Sequence, residues 1–128
     1  MPLNDKVTMK SEKSKNPLKE KSYAFAIKIV KLSQSLVTER KEYVLSKQVL
    51  RSGTSVGALI REAEFAASKA DFINKLTVSL KEANETEYWL MLLYDTEYLD
   101  KENFEVLRSA CKEIIAMLVS SIKTSKGQ

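Results

Sequence analysis

The stretch RSGTSVGALIREA, from Arg51 to Ala63, has the residue types of a phosphate-binding loop. Two glycines, two serines and a threonine follow an arginine, and backbone amides together with arginine are common phosphate ligands. However, a Walker loop has Lys followed by Ser or Thr after its last glycine, and a dinucleotide loop has G-x-G-x-x-G. The stretch has only Gly53-x-x-x-Gly57. The motif therefore does not predict a nucleotide site.

Helical periodicity runs through the same stretch without a break. Residues on one face fall within about 100° of one another on a helical wheel: Leu45, Val49, Ser52, Gly53, Val56, Ile60, Ala63 and Ala67. Each glycine costs about 1 kcal/mol of helix propensity relative to alanine, which indicates that another helix backbone approaches there. We predict a helix with an opposite face that is either solvated or a phosphate-binding or subunit-contact stripe. That face contains Lys47, Arg51, Thr54, Ser55, Ala58, Arg61 and Phe65.

Glu82, Glu85 and Glu87 are the residues that could form a metal cluster or an acid–base pair. Di-iron bundles normally use Glu-x-x-His, and this chain contains no histidine. The same absence excludes zinc sites built on histidine, Ser-His-Asp and Cys-His nucleophiles, and histidine general bases. We therefore expect structural ion pairs, with Arg108 as a candidate partner of Glu87, and predict no metal, no cofactor and no enzymatic activity.

The single cysteine, Cys111, forbids an internal disulfide and fits a reducing cytosol. It falls on the core stripe of the fourth predicted helix, so we expect a small buried side chain rather than a nucleophile. That stripe comprises Phe104, Leu107, Cys111, Ile114, Leu118 and Ile122. The longest apolar run, Tyr88 to Tyr94, is too short to span a bilayer, and no signal-peptide pattern is present. These features predict a cytoplasmic protein without a membrane partner.

Charge is divided unevenly along the chain. Residues 1–81 contain 16 Lys or Arg against 8 Asp or Glu, whereas residues 82–113 contain 3 against 9. Such a division suits a basic face that meets a polyanion, or a basic surface that meets an acidic one on another subunit.

Spacing and capping residues predict an all-α, antiparallel up-down four-helix bundle. Residues 1–16 are polar, rich in lysine and aperiodic, which predicts a disordered basic segment. Asn16 before Pro17, Ser68 before Asp71, and Asp100 predict helix starts. The predicted helices cover about 17–37, 43–67, 69–98 and 101–123, and a flexible tail covers 124–128.

Two of the predicted helices are apolar on more than one side, which a peripheral helix of a small monomer does not need. The third helix has a core stripe with Glu87 near its middle: Phe72, Leu76, Leu80, Ala83, Leu90 and Tyr94. Further apolar residues lie on another side of it, among two glutamates. We predict a homo-oligomer, the alternative being a wide monomer core with Trp89 half exposed. The predicted interface comprises Val78, Glu82, Glu85, Trp89, Leu92 and Leu93.

Two blocks, LRSGTSVGALIREA (50–63) and DFINKLTVSLKEANETEYWLMLL (71–93), resemble the four-helix-bundle proteins encoded by intervening sequences in bacterial 23S rRNA genes. The resemblance covers about residues 25–123. Its distinctive combination is R-S-x-T-S with a downstream K-E-A-x-E-T-x-Y-W-L. We expect most of the matching residues to be structural or inter-subunit: Arg51, Ser52, Thr54, Ser55, Glu62, Glu82, Glu85, Tyr88 and Trp89.

The resemblance implies a barrel-like homopentamer. A related branch, the accessory proteins of diversity-generating retroelements, forms similar basic barrels that bind nucleic acid and a partner reverse transcriptase. For the intervening-sequence proteins themselves, the resemblance carries no established biochemical role.

Two functions remain open. The first is a non-catalytic oligomer that binds RNA or DNA through phosphate contacts, with affinity that depends on salt more than on base sequence. The second is an oligomeric protein-interaction scaffold for a partner such as a reverse transcriptase. The basic residues predicted to contact nucleic acid are Lys28, Lys31, Arg40, Lys41, Lys47, Arg51 and Arg61.

Overall fold

The computed structural model describes residues 16–127, which form four α-helices and no strand. The helices are α1 (Pro17–Arg40), α2 (Leu45–Ala63), α3 (Lys69–Asp95) and α4 (Lys101–Ser125). They pack in chain order, and α4 closes the ring against α1 with the loosest of the four contacts. This confirms the all-α, four-helix prediction. Apart from Asn16, the segment predicted to be disordered lies outside the described residues.

Side-chain caps begin three of the helices at the predicted positions. Asn16 Oδ1 accepts from the Lys19 amide (3.1 Å), Ser68 Oγ from the Asp71 amide (3.1 Å), and Asp100 Oδ1 from the Asn103 amide (2.8 Å). Each cap satisfies an amide that has no partner in the first helical turn.

Several predicted helix ends were wrong by a few residues. Helix α2 ends at Ala63 rather than near Ala67, because Ser68 is extended to cap α3 and the Asp71 carboxylate accepts from the Ala67 amide at 3.0 Å. Helix α3 ends at Asp95 rather than 98, since Glu97 has a left-handed φ of 69°. Helix α1 extends past 37 to Arg40, and α4 continues into the predicted tail as far as Ser125.

The core of α4 follows the predicted spacing, whereas the core stripe of α3 is rotated. The buried residues of α4 are those predicted: Phe104, Leu107, Cys111, Ile114, Leu118 and Ile122. Those of α3 are Leu76, Ser79, Ala83, Thr86, Leu90 and Leu93. Leu93 has 0% exposure, so its assignment to an oligomer interface was wrong. Thr86 takes the central place that was assigned to Glu87.

The glycines of α2 are where α1 approaches most closely, as predicted. A Cβ added at Gly53 would lie 2.8 Å from Ile29 Cγ2, and one added at Gly57 would lie 3.3 Å from the Ser22 carbonyl oxygen. Both glycines therefore serve helix packing. Within residues 16–127, no helix has the length and apolarity needed to cross a membrane.

Candidate functional site

Arg51 connects α2 to α3 on the outer side of the seam between them. Its Nη1 lies 3.1 Å from Glu82 Oε1, and its Nη2 lies 2.6 Å from Glu85 Oε2. Trp89 Nε1 donates to Glu85 Oε2 at 3.0 Å. We call these four residues the α2–α3 network. Helical spacing on α3 places both glutamates and Trp89 on the flank that faces α2.

The α2–α3 network keeps its ion pairs charged. The hydrogen bond from Trp89, followed by the one from Arg51, lowers the pKa of Glu85 from its ordinary 4.5. The hydrogen bond to Glu85 raises the pKa of Arg51, with charge attraction from Glu82 and Glu85 acting in the same direction. Arg51 is therefore occupied within its own chain, and its assignment as a phosphate contact stays a prediction.

Hydroxyl groups of the same motif form hydrogen bonds in the core, where α2 and α3 pack together. Thr86 Oγ1 lies 2.9 Å from Ser52 Oγ and 2.8 Å from the Glu82 carbonyl, and both side chains are fully buried. The hydroxyls of Thr54 and Ser55 donate to backbone carbonyls of their own helix. These contacts show that several of the motif residues have hydrogen-bond partners within the chain, which agrees with a structural role.

The acidic and thiol groups of the α3–α4 seam also have structural partners. Glu87 Oε2 lies 3.0 Å from Arg108 Nε, which confirms the predicted pair, and 3.8 Å from Lys112 Nζ. Burial, and secondarily the charge of Glu87, raises the pKa of Cys111 to about 12. In the described chain, no group of three or more His, Cys, Asp or Glu residues could hold a metal.

The seven predicted nucleic-acid contacts do not converge on one surface of the chain. Lys47 and Arg61 are exposed on α2, and within residues 16–127 neither forms an ion pair. We call these two residues the α2 basic face. Lys41 lies beside it in the α1–α2 loop, with Nζ 3.4 Å from the Thr38 carbonyl. Arg51, on the same helix, is held in the α2–α3 network.

The other three cations line a groove between α1 and α4. Lys28 and Lys31 are exposed along its α1 wall. Arg40 donates to the Glu97 carbonyl at 3.1 Å and stacks over the Tyr98 ring at 4.7 Å, so it joins α1 to the α3–α4 loop. The predicted basic surface is therefore two surfaces within one chain.

Of the predicted interface residues of α3, some are available to another chain and others have a partner within this chain. Val78, Trp89 and Leu92 remain half-buried on its outer side, whereas Glu82 and Glu85 have Arg51 as a partner in the same chain. Tyr88 is more exposed and contacts Trp89 edge-on, with ring centroids 5.0 Å apart. The assignment of these residues to an interface stays a prediction.

Sequence reasoning missed the groove and the residues that form it. Its unpredicted lining includes Tyr98, Leu99, Lys101 and Val106. The one available signal was Val106, an apolar residue outside the predicted core stripe of α4. Periodicity along one helix does not show that α1 and α4 diverge, since that depends on how the whole ring closes.

Comparison with known proteins places the chain in a family. The model of the 23S rRNA-intervening sequence protein family matches residues 14–120. A crystal structure of a protein of unknown function from the S23 ribosomal protein family of Bacteroides thetaiotaomicron is 59% identical, with a TM-score of 0.82. That match covers 83% of this chain and 98% of the other. No curated protein matches the chain. On the family match and the similarity to this structure, the chain belongs to the 23S rRNA-intervening sequence protein family.

Proposed function

We propose that the protein is a non-catalytic, cytoplasmic homo-oligomer that binds RNA or DNA through phosphate contacts of the α2 basic face. The observation that carries the proposal is that Lys47 and Arg61 stay exposed and without an ion pair in the described chain. They are 14 residues apart on one helix, which separates them by about 21 Å. That distance spans several phosphates of one strand.

The mechanism is electrostatic. Each lysine or arginine that neutralises a phosphate releases a counterion, so affinity falls steeply as salt increases. One chain offers few such contacts, and an oligomer multiplies them because bound subunits raise the effective concentration of the others. Little base specificity is expected, since these contacts involve the backbone of the nucleic acid.

Two surfaces next to α2, one on α1 and one on α3, carry partly exposed apolar residues, and these favour an oligomer. On α1, Tyr23, Ile27 and Val30 are 47%, 43% and 37% exposed. They lie on the flank toward α2, because the opposite flank of α1 carries the lysines of the groove. On α3, Trp89 and Leu92 are half-buried on the outer side, where Trp89 donates a hydrogen bond to Glu85 beside α2.

These two sides are neighbours around the bundle rather than opposite each other. A contact between these unlike sides rotates each copy relative to the last, and it gives a ring when that rotation closes. The resemblance to the family implies five subunits.

Nucleic-acid binding is tested with a fluorescent RNA and anisotropy at about 50 and 200 mM salt. The full-length protein should bind at the lower salt and lose at least about tenfold in affinity at the higher. Lys47→Glu with Arg61→Glu should weaken binding by at least about tenfold. Lys81→Glu with Lys123→Glu makes the same charge change at exposed, unpaired positions and should retain most of the affinity. Equal losses in both pairs, or no binding at the lower salt, would refute phosphate binding by this face.

The oligomer is tested by light scattering. The wild-type protein should be a single species of several subunits, and Ile27→Glu should shift it toward monomers. Val44→Glu, at the more exposed Val44 near the start of α2, is the matched control and should leave the subunit number unchanged. A wild-type monomer at all concentrations would contradict the ring.

A second candidate function is an oligomeric scaffold for a protein partner such as a reverse transcriptase. The groove between α1 and α4 favours it, because leucine side chains contribute to the lining. An oligomer that dissociates with salt but has no affinity for RNA would support this second function over the first.

A further inference from the structure

Helices α1 and α4 leave a groove of about 690 Å³ between them. It lies at the end of the bundle that carries the α1–α2 and α3–α4 loops. The contact between these two helices is the loosest in the ring. The groove therefore lies where the helices of the bundle pack least tightly against each other.

Apolar and polar side chains share the lining of the groove, and each of its two aromatic rings has a partner. Leucines from α1, from the α3–α4 loop and from α4 contribute to the lining: Leu32, Leu36, Leu99 and Leu107. Tyr94 stacks on Phe104 at 4.4 Å, and Tyr98 lies under the Arg40 guanidinium. One face of each ring is therefore occupied within the chain, which leaves less aromatic surface for stacking on bases.

Val106 extends this apolar lining to the surface. It is 50% exposed on the α4 wall, next to residues that are buried. Val106 is half-exposed beside the groove, so an apolar group of a partner that packed on it would be buried.

Four cationic and three acidic side chains line the groove, and the acidic ones lie toward the loop end. Lys28, Lys31 and Lys101 form no ion pair within residues 16–127. Among the acidic residues, Asp100 already accepts from both the amide and the side chain of Asn103, at 2.8 and 3.0 Å. Glu39 and Glu97 lie at the loop end, near Arg40. The end of the groove away from the loops therefore presents the unpaired positive charges of Lys28 and Lys31.

The dimensions match a short helix. The α1 wall runs from Lys28 to Arg40, a length of about 18 Å, which is that of about 12 helical residues. An amphipathic helix places its apolar side chains on one stripe and charged groups along the edges of that stripe.

We propose that this groove binds an acidic amphipathic helix of a partner protein. The apolar stripe of that helix packs on Leu32 and Val106, the aliphatic lining residues that are not buried, and its acidic residues pair with Lys28 and Lys31. This function goes beyond nucleic-acid binding and uses a surface separate from the α2 basic face.

The test uses the full-length protein and a fluorescent synthetic helix of about 15 residues, with leucines at helical spacing and glutamates beside them. A control peptide has lysine in place of each glutamate. The acidic peptide should bind in an anisotropy titration, and the basic one should bind at least about tenfold more weakly.

Variants then locate the site. Val106→Glu and the pair Lys28→Glu with Lys31→Glu should each weaken binding of the acidic peptide by at least about tenfold. Lys47→Glu with Arg61→Glu is the charge-matched control outside the groove and should leave peptide binding within about twofold. These residues are all exposed, so circular dichroism should show native helix content in every variant.

Three results would overturn the proposal. The first is no binding of the acidic peptide, or binding that is insensitive to Val106→Glu. The second is displacement of the peptide by a short RNA whose own binding is lost in Lys28→Glu with Lys31→Glu, which would make the groove a nucleic-acid site. The third is a change of subunit number in Val106→Glu, which would make it a contact between copies. Loss of RNA binding in Lys47→Glu with Arg61→Glu bears only on the α2 basic face.

Discussion

Single residues determine how closely the helices pack and which charges remain available. The missing side chain of Gly53 allows Ile29 of α1 to approach α2, and Ser52 meets Thr86 on the other side of the same helix. Arg51, one position away, holds α3 from the outside. A few adjacent residues of α2 therefore connect three helices.

Gly53→Ala should destabilise the protein. The added Cβ would lie 2.8 and 2.9 Å from two side-chain carbons of Ile29, and Ile29 is fully buried and β-branched, so it cannot rotate away. Overpacking of about 1–3 kcal/mol should exceed the gain of about 1 kcal/mol in helix propensity. Urea unfolding measures the difference. Gly57→Ala, with its nearest contacts at 3.3 Å, is the comparison and should destabilise the protein less than Gly53→Ala does. A more stable Gly53→Ala variant would refute close packing as the reason for this glycine.

Protonation of Glu85 should be visible in the fluorescence of Trp89, the only tryptophan of the chain. Since the folded pKa of Glu85 is lowered, its contribution to stability is present above the ordinary value of 4.5 and is lost as pH falls through the folded pKa. The fluorescence midpoint should therefore lie below 4.5.

Arg51→Met should raise that midpoint toward 4.5, because it removes one cause of the lowered pKa and leaves Trp89 in place. Glu87→Gln changes a carboxylate that faces α4 and should not move the midpoint. A wild-type midpoint at or above 4.5, or no response to Arg51→Met, would show that the α2–α3 network does not form in solution.

At the scale of the helices, the start of α2 depends on one residue before it. Helix α2 has no acidic residue in its first turn, and its N-cap Val44 makes no side-chain hydrogen bond. Glu42 takes that role: its carboxylate accepts from the amides of Val44, Leu45 and Ser46 at 3.3, 3.0 and 2.7 Å.

Glu42→Ala should lower the free energy of unfolding by about 1–2 kcal/mol, because three amides lose their acceptor at the positive end of the helix dipole. Urea unfolding followed by circular dichroism gives the value. Glu39→Ala removes an exposed carboxylate near the end of α1 and should change stability much less. Equal effects in the two variants would show that capping by Glu42 contributes little.

At the scale of the whole molecule, the bundle is a ring whose contacts are close on both sides of α2 and loose between α1 and α4. The α3–α4 seam buries Cys111, whose Sγ lies 3.3 Å from the Ala83 carbonyl. This thiol therefore reports whether α4 separates from α3.

Cys111 should react very slowly with a thiol reagent at about pH 8, because the reactive thiolate is scarce when burial raises the pKa to about 12. The reaction should accelerate only as urea unfolds the chain, and Gly53→Ala, which changes the contact between α1 and α2, should accelerate it in proportion to its loss of stability. The protein unfolded in urea provides the reference rate. Fast labelling of the native protein would show that α4 opens locally.

Local sequence patterns were sufficient to predict the helices and several of their contacts. The caps at Asn16, Ser68 and Asp100 and the core of α4 follow from neighbouring residues and from helical spacing, both of which operate within one segment. The partner of Glu87 was also predictable, because its helix has a single neighbour on that flank with arginine at its edge.

The sequence by itself determined the four helices, their approximate bounds and the close approach at the glycines of α2. The tertiary structure decided that Arg51 is occupied by Glu82 and Glu85, that Leu93 is buried, and that α1 and α4 diverge. The physical reason is that spacing places residues on the faces of a helix, whereas the rotation of that helix and the identity of its neighbours arise only when all four pack together. Whether a cation is available for a ligand depends on those neighbours.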